Sequence, residues 1–327
     1  MDKTIMTYIG HETQLSGIEE HRLVGGKGDG QRLYEVHNGC GLDLTISPDR
    51  NGDITRLRFK GQNMSYMSPC GYVAPAYYDS IGANWLQSFT AGFLTTCGLQ
   101  NVGSPNTDEG EELPLHGSIA NLPSEHSWWE RRGDALLVHS VTKDEIIFGR
   151  KLQFERTIAV ATDKNEFTIT DTITNTGDKV EPFEILYHMN MGYPLLDEDS
   201  VITIPSCDVA PRDDHAAEDI ENWMHMEKPQ VGYQERCYYH KFPDEKGLAK
   251  IYQPKLGLGL AITFDASELD GFVEWKMMGV RDYVLGLECG NCTADGRNVM
   301  RETGMLKFLQ PNESKTYTVT VTMLEGE

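Results

Sequence analysis

Glu166-Phe-Thr-Ile-Thr-Asp-Thr-Ile-Thr174 alternates polar and apolar residues along nearly its whole length. Phe167, Ile169 and Ile173 fall on one face and the threonines on the other, with Asp171 alone interrupting the apolar side. A period of two marks a half-buried β-strand. Tyr317, Val319, Val321 and Met323 alternate with Thr318, Thr320 and Thr322 in the same manner. From about residue 31 onward such runs recur between clusters of Gly, Pro, Asn and Asp, which predicts an all-β, mainly antiparallel sandwich of many strands. Helical periodicity is scarce, and short helices fit only within residues 76–90 and 212–226. No linker, shift of composition or fixed repeat divides the chain. Residues 1–327 are therefore expected to form a single domain, with residues 1–30 as an N-terminal extension packed on it. The Gly-, Asn- and acid-rich segment from Thr95 to Pro123 reads as a long ordered loop, and loops of that length usually serve function.

Fifty acidic against twenty-nine basic side chains give a formal charge of −21. Such a field repels nucleic acid phosphates and anionic membrane surfaces, so neither is expected as a partner. It also steers away anionic small molecules, although a local arginine pocket overrules it at contact distance. The N-terminal stretch has no cationic region followed by an apolar run, and no segment approaches a membrane span, which points to a soluble, cytoplasmic protein. Seven scattered cysteines, an odd number, read as reduced thiols.

Chemistry is concentrated in a few places. In the strand ending Leu186-Tyr-His-Met-Asn190, Phe183, Ile185, Tyr187 and Met189 form the apolar face. His188, Asn190 and Glu184 therefore point together to the opposite side. Arg281-Asp-Tyr-Val-Leu-Gly-Leu-Glu-Cys289 repeats the pattern, with Tyr283, Leu285 and Leu287 on the core face and Val284, Gly286 and Glu288 on the other. Gly286 leaves room for something to lie against Glu288. His116, followed by Gly117, is presented by a turn in the long loop. Arg50 and Asp53 flank the Asn51-Gly52 turn, and Arg212, Asp213 and Asp214 follow Pro211.

Other features carry less. Cys289-Gly-Asn-Cys292 is a lone CxxC without a second pair at zinc spacing, so no metal is expected. Gly25-Gly-Lys-Gly-Asp-Gly30 lacks the order of a phosphate loop, and no GxSxG is present. Asp108-Glu-Gly-Glu-Glu112 reads as a solvated acidic loop rather than a calcium site.

Taken together, Gly39-Cys-Gly-Leu42, Ser47-Pro-Asp-Arg-Asn-Gly-Asp-Ile54, Gly92-Phe-Leu-Thr-Thr-Cys-Gly-Leu99, Leu115-His-Gly117, Leu186-Tyr-His-Met-Asn190, Ala210-Pro-Arg-Asp213 and Leu285-Gly-Leu-Glu288 resemble the DUF4432 branch of the aldose 1-epimerase (galactose mutarotase-like) family. The resemblance spans nearly the whole chain. It implies a large twisted β-sandwich whose concave sheet holds a monosaccharide, and acid–base ring opening that interconverts the α and β anomers without a cofactor. By the same resemblance Glu288 is the general base and His188 the general acid, while His116 holds the ring and stands as a second candidate for the acid role. These roles need an ionised carboxylate and a protonated imidazole, which their proximity is expected to favour. Arg50, together with Arg212 or Asp213, supplies the hydroxyl clamps by resemblance, and Asn190 lies beside the acid. Trp85 and Trp275 offer aromatic surfaces for the C–H face of a pyranose. Lys276 offers a charge for a substrate acid group. Where ordinary mutarotases carry an Asn-rich stretch around the acid histidine, this chain has Tyr187-His-Met-Asn190.

The same residues admit a non-catalytic sugar-binding or sensing protein, and an isomerase or lyase acting on a sugar acid. A monomer and a homodimer joined through edge strands are both compatible with the pattern.

Overall fold

The computed structural model describes residues 4–326. Residues 1–3 of the expected extension, and residue 327, lie outside the described residues. Strands dominate and all helical segments are short. Three antiparallel sheets carry the architecture. The largest has eight strands, and within it Glu166–Asn175 pairs with Lys151–Ala161 on one side and Ser314–Glu325 on the other. The alternation behaves as the physics of a half-buried sheet requires: Phe167, Ile169, Ile173, Tyr317, Val319 and Val321 are buried in one cluster. On the opposite face hydroxyls meet across the strands, Thr168 with Thr320 at 3.2 Å and Thr172 with Thr316 at 2.9 Å.

A second sheet packs over this core. Its consecutive neighbours are Leu94–Leu99, Glu181–Met191, Tyr283–Gly290, Gly271–Met278, Arg236–Lys241 and Asp208–Pro211. Phe183, Ile185, Tyr187, Met189, Leu285 and Leu287 enter the shared core from it. The far face holds a separate apolar cluster that includes Trp85, Phe89, Leu186 and Val273. A third, five-stranded sheet begins with Gly17–Arg22, which pairs with Arg32–His37.

Leu94–Leu99 corrects the expectation of a loop beginning at Thr95. All six of its residues are buried, and a strand covered on both faces loses the alternation by which strands are found. Beyond it the segment forms a small hairpin, Asn106–Asp108 with Glu111–Leu113. Asp108 is not solvated as expected: it is buried and accepts hydrogen bonds from Arg297 and Arg301 at 2.7 Å. Helical turns occupy parts of both expected windows, at Pro75–Tyr77, Asn84–Ser88, Asp214–Ala217 and Ile220–Asn222. No helix among the described residues is long and apolar enough to cross a membrane.

Asp171, the interruption in the decisive strand, is fully buried and faces Arg156. Arg156 Nε donates to Asp171 Oδ1 at 2.8 Å and Nη2 to Oδ2 at 2.6 Å, a bidentate pair. Its Nη1 donates to Asp53 Oδ1 at 2.7 Å, and Thr96 N donates to Asp53 Oδ2 at 3.0 Å. Asp53 belongs to the five-stranded sheet and Thr96 to the second, so one guanidinium fastens three sheets together. Burial opposes its charge, yet Asp171 and Asp53 hold it above the ordinary arginine value. At Asp53 the balance runs the other way: burial outweighs Arg156 and lifts the carboxyl.

Candidate active site

The register that pairs Tyr187 with Cys289 and Asn190 with Gly286 sets His188 directly across from Glu288 on the second sheet. Both side chains point away from the shared core into a cleft of about 560 Å³. Its floor also takes Trp275, Val273, Val284 and Cys237 from neighbouring strands. The opposite wall comes from loops, a short strand and a helical turn, with Tyr66, Trp85, Phe89, Leu115 and His116.

His188 Nδ1 lies 3.1 Å from Glu288 Oε1, and the two side chains are 6% and 2% exposed. Neither atom has a hydrogen-bond partner. Burial pushes Glu288 well above the carboxylate range, with Glu235 adding to the shift. It pushes His188 well below the ordinary histidine value, with His116 adding. The expected carboxylate–imidazolium pair is thus corrected: removal from water favours both neutral forms and is the larger effect, while the 3.1 Å contact pulls the other way. Both directions favour a protonated Glu288 beside a neutral His188.

Gly286 has a different role from the one expected. A Cβ there would collide with Glu288 Oε1 and approach Trp275 Cβ to 3.0 Å. The vacancy at Gly286 is filled by the carboxylate of Glu288 itself, not by space for a ligand. Gly286→Ala is expected to displace that carboxylate and slow any chemistry it performs by on the order of 10- to 100-fold, because a shift of about 1 Å has that effect. The melting temperature, followed by circular dichroism, should fall by only a few degrees. An unchanged rate would show that the glycine does not set the position of the carboxylate.

His116 takes a left-handed backbone at φ 54°, a costly conformation for a non-glycine residue and one that clusters at functional sites. Gly103 N donates to its Nδ1 at 3.2 Å, which places the proton of the neutral ring on Nε2. Burial, with Arg212 adding, lowers its pKa to about 4, so it is a neutral donor near pH 7. Aromatic rings enclose His188, with centroids at 5.2 Å for Trp275, 5.4 Å for Phe89 and 5.6 Å for His116. Trp85 stacks on Phe89 at 4.6 Å and lies 4.9 Å from His116.

Arg212 lines the cleft, with Nη2 3.3 Å from Glu235 Oε1 and Nη1 donating to Cys237 Sγ at 3.4 Å. Trp275 Nε1 donates to Glu235 Oε2 at 2.7 Å. Glu235 and Tyr66 were not anticipated. Both sit outside any alternating run, and only the fold brings them to the cleft.

Four expected residues do not line it. Arg50 is buried elsewhere, donating to the carbonyl of Val73 at 2.9 Å, and burial lowers it to about 10. Asp213 caps the Asp214–Ala217 helix by accepting from Ala216 N at 2.8 Å. Asn190 is buried beside His188, donates to its carbonyl at 2.9 Å, and leaves Oδ1 without a partner. Lys276 follows Trp275 directly, so strand parity turns it to the other face. There it is fully buried, with Nζ 3.3 Å from Glu227.

Glu184, two turns of the pleat from His188, lies outside the cleft and accepts from Val102 N at 2.8 Å, with Oε1 unpartnered. Burial raises its pKa from 4.5 to about 8. A raised carboxyl stabilises the fold fully below about pH 4.5 and loses that contribution as pH climbs towards 8. Native protein is therefore expected to lose roughly 3 kcal/mol between pH 5 and 7 from this group, whereas Glu184→Gln keeps the acceptor and removes the dependence. Urea unfolding at both pH values measures it. Parallel pH profiles for the two proteins would exclude the buried acid as their cause.

Comparison with known proteins agrees with this fold. A crystal structure of a candidate aldose 1-epimerase from Klebsiella pneumoniae subsp. pneumoniae MGH 78578 superposes with a TM-score of 0.88 at 26% identity, covering 94% of this chain and 83% of that one. A galactose 1-epimerase from Lactobacillus acidophilus NCFM gives 0.67 at 12% identity, covering 95% and 100%. A galactose mutarotase-like protein from Clostridium acetobutylicum gives 0.65 at 15%, covering 95% and 99%. The last two likenesses speak to the fold alone. No curated protein matches the sequence. The model of the domain of unknown function DUF4432 matches residues 28–323. The chain has the galactose mutarotase-like β-sandwich fold and belongs to the DUF4432 family.

Proposed function

We propose that the protein is an aldose 1-epimerase that interconverts the α and β anomers of a monosaccharide. The observation that carries this reading is the buried His188–Glu288 pair, 3.1 Å apart, on the floor of an aromatic-walled cleft. An acid and a base side by side, with one proton between them, match a reaction that removes a proton from one oxygen and delivers one to its neighbour.

In this mechanism the pyranose lies over Trp275 with its anomeric end against the pair. Transfer of the shared proton from Glu288 to His188 generates carboxylate and imidazolium. Glu288 takes the proton of the anomeric hydroxyl, His188 protonates the ring oxygen, and the bond between C1 and that oxygen breaks. C1 becomes an aldehyde, rotates, and is attacked from its other face as the two protons return. His116, neutral with its proton on Nε2, donates a hydrogen bond to the ring or its substituents. Arg212 and Glu235 stand at the cleft wall to meet hydroxyls.

Exchange NMR on a panel of aldoses tests the reading. Accelerated anomer exchange for at least one sugar supports it. Binding without exchange would leave a sugar-binding module, and a carbonyl-shifted or unsaturated product would make the pair a catalyst on a sugar acid.

A further inference from the structure

A second cavity, of about 390 Å³, adjoins the cleft across Tyr66, which lines both. Arg56, Arg58 and Arg281 line it, and no carboxylate does among the described residues. In a chain of net charge −21, most of the other arginines are taken by acids, among them Arg32 by Asp49 at 2.8 Å, Arg150 by Asp144 at 2.8 Å and Arg297 by Asp108 at 2.7 Å, whereas Arg50 donates to a backbone carbonyl. Arg56, Arg58 and Arg281 make no ion pair among the described residues, although acids outnumber bases in the chain.

Their placement is built into the backbone. Arg56 and Arg58 are two apart on the Asp53–Phe59 strand, so they share its solvent face. Arg281 comes from the turn between the Gly271–Met278 and Tyr283–Gly290 strands, at a left-handed φ of 72°. Tyr66 Oη donates to the carbonyl of Arg281 at 3.1 Å, joining the turn to the wall shared by the two cavities. Asp282, the next residue, lines the cleft rather than this cavity.

We infer that this cavity binds an anionic substituent of the sugar, a phosphate or a carboxylate remote from the anomeric carbon, so that the substrate class is an acidic rather than a neutral monosaccharide. The inference rests on the proposed epimerase reading. A guanidinium trio offers the planar, fixed donors that suit oxyanions, and a small anion at contact distance is held despite the repelling field of the whole chain. A polyanion would meet that field over its full length and is disfavoured. Lys276, expected to supply this charge, is buried on the other face of the sheet.

Exchange NMR with glucose, glucose 6-phosphate and glucuronate, on native protein and on Arg56→Gln/Arg58→Gln, tests this. A higher kcat/KM for either anionic sugar than for glucose is expected, with the ratio falling on the order of 10-fold for each arginine removed. The sugar showing the larger ratio identifies phosphate or carboxylate. Equal ratios for all three sugars, unmoved in the double variant, would overturn the inference and leave the epimerase reading standing. If no sugar is exchanged, the epimerase reading fails instead. Titration of glucose 6-phosphate and glucuronate, by 31P and 1H NMR, then decides the anion site: loss of binding in the double variant upholds it, whereas binding undiminished in the double variant, or absent for both in the native protein, ends it.

Discussion

Glu288→Gln is expected to lower catalysed anomer exchange by on the order of 10³-fold while the protein stays folded. The substitution keeps the size and shape of the side chain and removes only its capacity to accept a proton, and positioned acid–base groups contribute about that much. Folding should not suffer. Glu288 is 1% exposed and burial lifts it well above the carboxylate range, so a neutral amide avoids the disadvantage of a group that water would ionise. Thermal melts at pH 7 should therefore show a Tm equal to or above the native one, which separates loss of chemistry from loss of structure. Exchange NMR reads the rate, and activity within a few-fold of native would remove Glu288 from the proton transfer.

The second large effect concerns stability. Arg156→Met leaves Asp171 and Asp53 buried at 0% and 3% exposure without their shared countercharge. Breaking one side of a buried ionic cluster typically costs about 3–5 kcal/mol, because the desolvated partner remains. A fall in Tm on the order of 10 °C follows, larger at pH 8 than at pH 5, where protonation of Asp53, already lifted by burial, relieves its stranded charge. Adding Asp171→Asn and Asp53→Asn to the same variant should restore much of the loss. Failure of that restoration would mean that Arg156 acts mainly through packing, for its guanidinium also lies 5.0 Å from the Phe154 ring.

These two sites differ in how far the sequence announced them. His188 and Glu288 were legible because strand parity is local: two residues along the chain return to the same face, and the apolar partners Tyr187 and Leu287 declare which face is core. The same rule separates Trp275 from Lys276. Asp171 was visible only as an anomaly, since its explanation, Arg156, sits on a neighbouring strand and Arg156 in turn reaches Asp53 103 positions away. Arg50 stands among the quoted motifs yet turns its side chain to Val73, because a 3₁₀ turn from Pro48 to Arg50 sets its direction. Leu94–Leu99 hid for the opposite reason, being buried on both faces and thus without any alternation. Protonation was the least legible property. Proximity of opposite charges is suggested by sequence, but the loss of water that outweighs it depends on the roof of Trp85, Phe89 and His116.

The Ser314–Glu325 strand lies inside the eight-stranded sheet, bonded on one side to Glu166–Asn175 and on the other to Leu258–Asp265. During synthesis, then, the ribosome must release this stretch before the two halves of the sheet can join. Until it emerges, both strands present bare ladders of amides and carbonyls. The nascent protein passes through an adhesive interval that lengthens with slow translation, and chaperone demand should concentrate there. A premature stop just before Ser314 would yield not a shortened copy of the fold but a split sheet, with Thr168 and Thr320 no longer able to meet.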